Sequence, residues 1–154
     1  MNECRAHKNC INRAIAEAQS ICRDRGLRFT DLRRRVLEII WTSHKPIKAY
    51  DILAQLGDSD YSAEPPTVYR TLDFLIENGI IHKLSSLHAY VGCSHPREQH
   101  ECFFLICSKC LKVNECCDKA LRGTIARAAN KNKFNPQNTT LEIKGICTTC
   151  AMRK

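Results

Sequence analysis

Two Cys-x-x-Cys turns, "ICSKC" ending at Cys110 and "ICTTC" ending at Cys150, restrict this 154-residue chain more than any other feature. Each turn presents two sulfurs at a separation that a tetrahedral zinc ion accepts, so Cys107, Cys110, Cys147 and Cys150 form a complete ligand set for a structural ion. Residues 111–146 between the turns exceed the span of a simple zinc ribbon and leave room for a helix and a strand. The expectation is a metal clasp closing a domain whose core is too small to hold itself. A thioredoxin-like redox pair and two unrelated clips are the alternatives on spacing alone.

The metal reading requires reduced thiols. The N-terminal stretch "MNECRAHKNCINRAIAEAQ" lacks the apolar run of a signal peptide, and nothing downstream approaches the roughly 20 apolar residues of a membrane span. A cytoplasmic protein is therefore expected, with no membrane partner. In that setting an odd count of 11 cysteines argues for metal ligation over a disulfide framework. The net charge of +8 suggests a polyanionic partner. Its distribution weakens the simple argument: 13 basic and 11 acidic residues precede Gly92, against 11 and 5 from Gly92 onward. Much of the excess thus lies in the cysteine-rich part, where four zinc-bound thiolates would offset some of it.

Hydrophobic periodicity organises the first part into helices. Ile11, Ala14, Ile15, Ala18 and Ile21 or Cys22 share a helical face that Gly26 terminates. Thr30 can cap a second helix, with Leu32, Val36, Leu37 and Ile40 as its stripe. Pro46 precedes a short third helix carrying Ala49, Ile52, Leu53 and Leu56. In "EPPTVYRTLDFLIENG" the prolines fix a helix entry, Val68, Leu72, Leu75 and Ile76 recur at helical spacing, and Asn78-Gly79 ends the run. "IIHKL" and "AYVGC" then flank a polar turn as a hairpin. Helices followed by a hairpin predict a winged helix-turn-helix over residues 1–91.

From residue 92 to 154 the pattern changes. "ECFFLIC" and "LKVNEC" read as strands around the first clip, Ala120 to Asn130 as a helix, and "TTLEIKG" as a strand leading into the second clip. The fold class expected is α+β, a winged helix-turn-helix DNA-binding domain followed by a small α/β domain with a four-cysteine zinc site. His82, Cys93, His100 and Glu115 are further competent ligands, although spacing alone leaves them scattered. Cys4, His7 and Cys10 form a further, incidental-looking patch, Cys22 falls on an apolar face, and Cys102, Cys116 and Cys117 either pack beside the clasp or take part in oxidation chemistry.

The stretch "AYDIL…EPPTVYRTLDFLIENGIIHKL…AYVGC…CSKC…GICTTC" resembles the ferric uptake regulator family, most closely its zinc uptake regulator branch. The likeness runs from about Ala14 to Cys150, and "PPTVYRTLDFL" and the ordered clips are its most specific parts. It implies a winged-helix domain hinged to an α/β dimerisation domain, with two zinc ions per subunit. By position, the structural zinc falls on the four clip cysteines and a regulatory zinc on His82, Cys93, His100 and Glu115, with His95 an alternative to His100. A thiolate at Cys93 favours zinc over the harder ligand sets of ferrous iron or manganese. The implied function is a homodimeric, zinc-activated repressor of zinc uptake genes that binds double-stranded operator DNA.

The fourth helix is the natural reader, entering the major groove by its N-terminal half. Arg70 is expected at a base edge, since Arg is the commonest side chain in bidentate contact with guanine. The resemblance places Tyr50 on DNA as well, Thr67 suits a phosphate, and Tyr69 lies beside them as either a contact or a core residue. Arg23, Arg25, Arg28, Arg33, Arg34 and Arg35 form a basic cluster that could follow the backbone or simply be solvated. An iron- or peroxide-sensing regulator and a zinc-clasped protein-interaction module are the competing readings. An enzyme is not expected: a closed four-sulfur site has no position for water, and neither catalytic residues nor a small-molecule substrate is indicated.

Overall fold

The computed structural model describes residues 7–58, 63–97, 102–137 and 139–153. The chain divides into two compact units, Met1–Glu98 and Gln99–Lys154. The first contains helices α1 (His7–Asp24), α2 (Asp31–Trp41), α3 (Ala49–Gly57) and α4 (Pro65–Glu77), with strands β1 (Ile47–Lys48), β2 (Ile81–Leu84) and β3 (Ala89–Gly92). The strands form an antiparallel sheet in the order β1-β3-β2. This is the element order of a winged helix-turn-helix, with the β2–β3 hairpin as wing.

Local signals in the sequence account for most element ends. The Thr30 side chain accepts from the Arg33 backbone N–H and caps α2. Pro65 and Pro66 occupy the first positions of α4, where a missing N–H costs nothing. At the other end of α4, Ile80 N–H reaches Leu75 O at 2.9 Å and Gly79 N–H reaches Ile76 O at 2.9 Å. Gly79 has φ +69°, the left-handed turn that closes a helix in this way. Two features go beyond the sequence expectation: α1 starts at His7, ahead of Ile11, and the two-residue β1 pairs Ile47 with Tyr90 and Lys48 with Ala89. So short a strand has no periodicity of its own to read.

The core of this unit is assembled from the helical stripes. Val36, Leu37 and Ile40 of α2, Ile52 and Leu56 of α3, and Val68, Leu72 and Leu75 of α4 are all essentially inaccessible. Cys22 is buried with them, and burial pushes its thiol pKa up, against a smaller opposing effect of Arg33 and Arg25. Trp41 packs under the wing, where a Cβ placed on Gly92 would lie 2.2 Å from the indole Cε2.

The second unit holds β4 (Phe103–Cys107), β5 (Val113–Cys116), α5 (Lys119–Lys131), β6 (Leu141–Gly145) and α6 (Thr148–Met152). Its sheet order is β5-β4-β6, with β5 antiparallel and β6 parallel to β4. The parallel pair requires the β5–α5 crossover, which occupies the interval between the two clips. Asp118 starts α5 by accepting from the N–H groups of Ala120 at 2.7 Å and Leu121 at 3.3 Å. The short helix α6 was not expected from the sequence. Among the described residues, the buried apolar side chains here are Phe104, Ile106 and Cys107, and α5 buries none.

Gly92→Ala is expected to destabilise the first unit by about 1–3 kcal/mol, the usual cost of overpacking, because the rigid indole of Trp41 must move. Thermal unfolding followed by Trp41 fluorescence measures the change.

Candidate metal centre and nucleic-acid interface

Parallel pairing of β4 with β6 brings the two clips together. Cys107 ends β4 and stands in register with Gly145 at the end of β6, so both Cys-x-x-Cys turns leave the sheet at the same end of the strands. Ser108 N–H donates to Gly145 O at 2.8 Å and ties the first turn to the second strand. Leu111, in the left-handed region at φ 57°, folds the first turn back, its N–H donating to Cys107 O at 2.9 Å. Cys147 sits at the N-terminus of α6 and Cys150 lies within it.

The four sulfurs lie within 4.8 Å of one another. Cys110 Sγ and Cys147 Sγ are 3.8 Å apart, and Cys147 N–H approaches Cys107 Sγ at 3.4 Å. A tetrahedral ion with zinc–sulfur bonds of about 2.3 Å has sulfur–sulfur edges of about 3.8 Å, so these residues fit zinc. The N–H groups aimed at Cys107, first that of Cys147 and then those of Cys110 and Lys109, lower its thiol pKa to about 6 against the effect of burial. Cys150 is pushed up to about 12, chiefly by hydrogen bonding to Cys147 and Cys110 and by burial. Around neutral pH the metal-free cluster thus holds a thiolate at Cys107 and a proton at Cys150.

The remaining expected ligands divide between the units. On the wing, Ile81 pairs with Gly92 and His82 with Val91, and Cys93 N–H continues the ladder to Ile80 O at 3.0 Å. Cys93 therefore stands opposite Ile80, on the face that His82 shares two residues along, a diagonal cross-strand neighbour. Their ligand atoms lie within 4.8 Å of each other. Cys93 is buried and His82 half-buried. His100 lies outside the described residues. Glu115 is on β5 of the second unit, opposite Phe104 and half-buried. Its carboxylate lies within 4.8 Å of the sulfurs of Cys102 and Cys117, two residues for which the sequence offered packing beside the clasp or oxidation chemistry but no ligand role. The signal that would have found them is the β4–β5 register, which periodicity alone does not supply.

The expected reading surface lies on α3 and α4. Val68, Leu72 and Leu75 turn into the core, while Thr67, Tyr69 and Arg70 point away from it and are exposed. Tyr69 is 48% exposed and so is not a core residue, and Tyr50 on α3 is 79% exposed. Glu64, at the cap of α4, makes no side-chain capping bond. The arginine cluster is partly structural. Arg25 donates to Asn78 O and Oδ1 at 3.2 and 3.0 Å, Arg33 stacks 3.3 Å over the Phe74 ring, and Arg35 pairs with Glu38 at 3.2 Å. Phe74 is consequently half-buried beneath a cation.

The model of the Ferric uptake regulator family matches residues 24–144. The Zinc uptake regulation protein of Escherichia coli strain K12 is 36% identical over 145 residues, which cover 93% of this chain and 84% of that protein. The crystal structure of holo XcZur aligns with a TM-score of 0.83 at 42% identity, covering 91% of this chain and 98% of that one. A zinc uptake regulator complexed with zinc and DNA aligns with a TM-score of 0.86 at 34% identity, covering 92% and 95%.

Cys110→Ser is expected to abolish tight zinc retention and to expose β4 and β6 to amide exchange while the amides of α1–α4 stay protected; hydrogen exchange with mass spectrometry reads both. Zinc affinity at the cluster is expected to fall as pH drops from about 8 to about 5, more steeply below about 6, where Cys107 also takes up a proton that zinc must displace. Competition with a chromophoric chelator across that range tests the slope.

Proposed function

The chain belongs to the ferric uptake regulator family, and from that premise we propose that it is a zinc-responsive, DNA-binding repressor of zinc uptake genes. The observation that carries the choice of metal is the pairing of the Cys93 sulfur with the His82 imidazole on one face of the wing. Thiolate with imidazole is a ligand combination suited to zinc, whereas an iron or manganese site would be built from harder donors. The likeness to zinc uptake regulators, at 36% identity in sequence and up to 42% among solved structures, supports the same choice.

Two zinc ions per subunit follow from this reading. Cys107, Cys110, Cys147 and Cys150 hold the structural ion, and His82, Cys93, His100 and Glu115 are proposed for the regulatory one. Zinc, when bound, acts as a cross-link and a local positive charge. Two imidazoles, one thiolate and one carboxylate leave the second site formally neutral when loaded, which eases its partial burial. The set draws ligands from both units, so loading selects conformers in which those ligands are gathered. Operator DNA selects conformers whose two reading helices match its half-sites. If the selected conformers are the same, each ligand tightens the other by an equal factor.

Arg70 is proposed to read a base edge, with Tyr69 and Tyr50 beside it and Thr67 at a phosphate. Exposure of all four on elements whose opposite faces are fixed in the core supports this role. A homodimer supplies the second reading helix. Leu105 and Ile143, neighbours across β4 and β6, are 39% and 43% exposed, and Phe134 is 64% exposed. Apolar surface of this kind on a unit with so few buried side chains supports burial against a second copy.

Cys93→Ser is expected to keep one tightly bound zinc per chain in native mass spectrometry while losing the zinc-dependent gain in operator affinity. Operator affinity in wild-type protein that stayed constant from chelator to saturating zinc would overturn the repressor switch. Arg70→Ala is expected to fold normally and to lose roughly 1–3 kcal/mol of specific binding, with discrimination between operator and random DNA relaxed at one position.

A further inference from the structure

We infer that Cys102, Glu115 and Cys117 form a further binding site for a thiophilic divalent cation of the zinc and cadmium class, distinct from the four-cysteine cluster. The register of the β4–β5 hairpin builds it. Phe103 pairs with Cys116 and Phe104 with Glu115, so continuing the ladder by one residue sets Cys102 opposite Cys117. Cys102 and Phe104 share a face of β4, and Glu115 and Cys117 share the matching face of β5, because side chains alternate along a strand. The two sulfurs and a carboxylate oxygen consequently converge, all within 4.8 Å of one another. Cys116 is turned away, its Sγ lying 4.0 Å from Asn114 O.

The donor set is that of a metal site. Two sulfurs and a carboxylate oxygen suit a soft, tetrahedral ion, and three protein ligands leave a fourth position for water or an incoming ligand. The four-cysteine cluster has no such vacancy. Accessibility fits the difference, since Cys117 is exposed and Cys102 and Glu115 are half-buried. The geometry is held from both sides: Cys102 directly precedes β4, and Asp118, the residue after Cys117, is fixed as the cap of α5. An ion here is therefore preorganised yet exchangeable. A carboxylate has two oxygens, so Glu115 can serve this ion and remain available to the regulatory set proposed above. Cys102 and Cys117 belong to neither ligand set of that proposal.

The test uses the full-length chain with cadmium as probe, in the wild type and in the C102S/C117S double variant. Wild type is expected to saturate at one more cadmium ion per chain than the variant in native mass spectrometry. Cadmium is also expected to protect Cys102 and Cys117 together from iodoacetamide, read by peptide mass spectrometry on wild-type protein, which requires no variant to fold. Equal cadmium uptake by the two proteins, protection of Cys102 without Cys117, or labelling of both at an unchanged rate would each overturn the site. Zinc-dependent operator binding by the double variant separates this outcome from the regulatory reading: its retention leaves that reading standing whichever way the cadmium count falls.

Discussion

The parallel alignment of β4 with β6 is the constraint on which the second unit depends. Setting Cys107 in register with Gly145 places two Cys-x-x-Cys turns at one end of a three-stranded sheet, and the four sulfurs meet there. With Phe104, Ile106 and Cys107 as the buried apolar side chains among the described residues, hydrophobic burial alone gives this unit little to stand on. Zinc held by these four thiolates would supply a folding free energy that such a core cannot. The same economy leaves apolar side chains on the surface, and those are what a second copy can cover.

The first unit rests on a different force. Its helices contribute whole stripes to one continuous core, and the fixed inner face of α4 is what allows the outer face to carry Thr67, Tyr69 and Arg70 without strain. The basic cluster that precedes and enters α2 divides its labour in the same way. Arg25 binds the end of α4 through Asn78 and Arg33 covers Phe74, so these two cations hold α4 in place. A neutral replacement there would disturb packing as well as charge, because the arginine stem and plane are themselves part of the contact.

Metal chemistry enters through register. On the wing, a diagonal cross-strand relation brings His82 beside Cys93, and in the second unit the β4–β5 ladder brings Cys102 and Cys117 to Glu115. Both arrangements follow from the alternation of side chains along paired strands. They differ in hardness from the four-sulfur cluster: that cluster has the donor set of a permanent ion, and these positions have donor sets suited to exchange.

Helix content, caps, the apolar stripes and the four-cysteine set were legible in the sequence, because each is written in local spacing: Thr30 before α2, Pro65-Pro66 at the entry of α4, Asn78-Gly79 at its exit, and three-residue steps between clip cysteines. The family resemblance added an expected ligand set and expected DNA contacts, which rest on that resemblance. Spacing did not reveal β1, whose two residues exist as a strand only through pairing with β3, or α6, whose single turn starts at the second clip. Nor could it choose between core and surface for Tyr69, or separate structural arginines from solvated ones. Those questions depend on which residues oppose one another across strands and helices far apart in the chain, and pairing of that kind is settled when the elements pack, not by the order in which the residues follow.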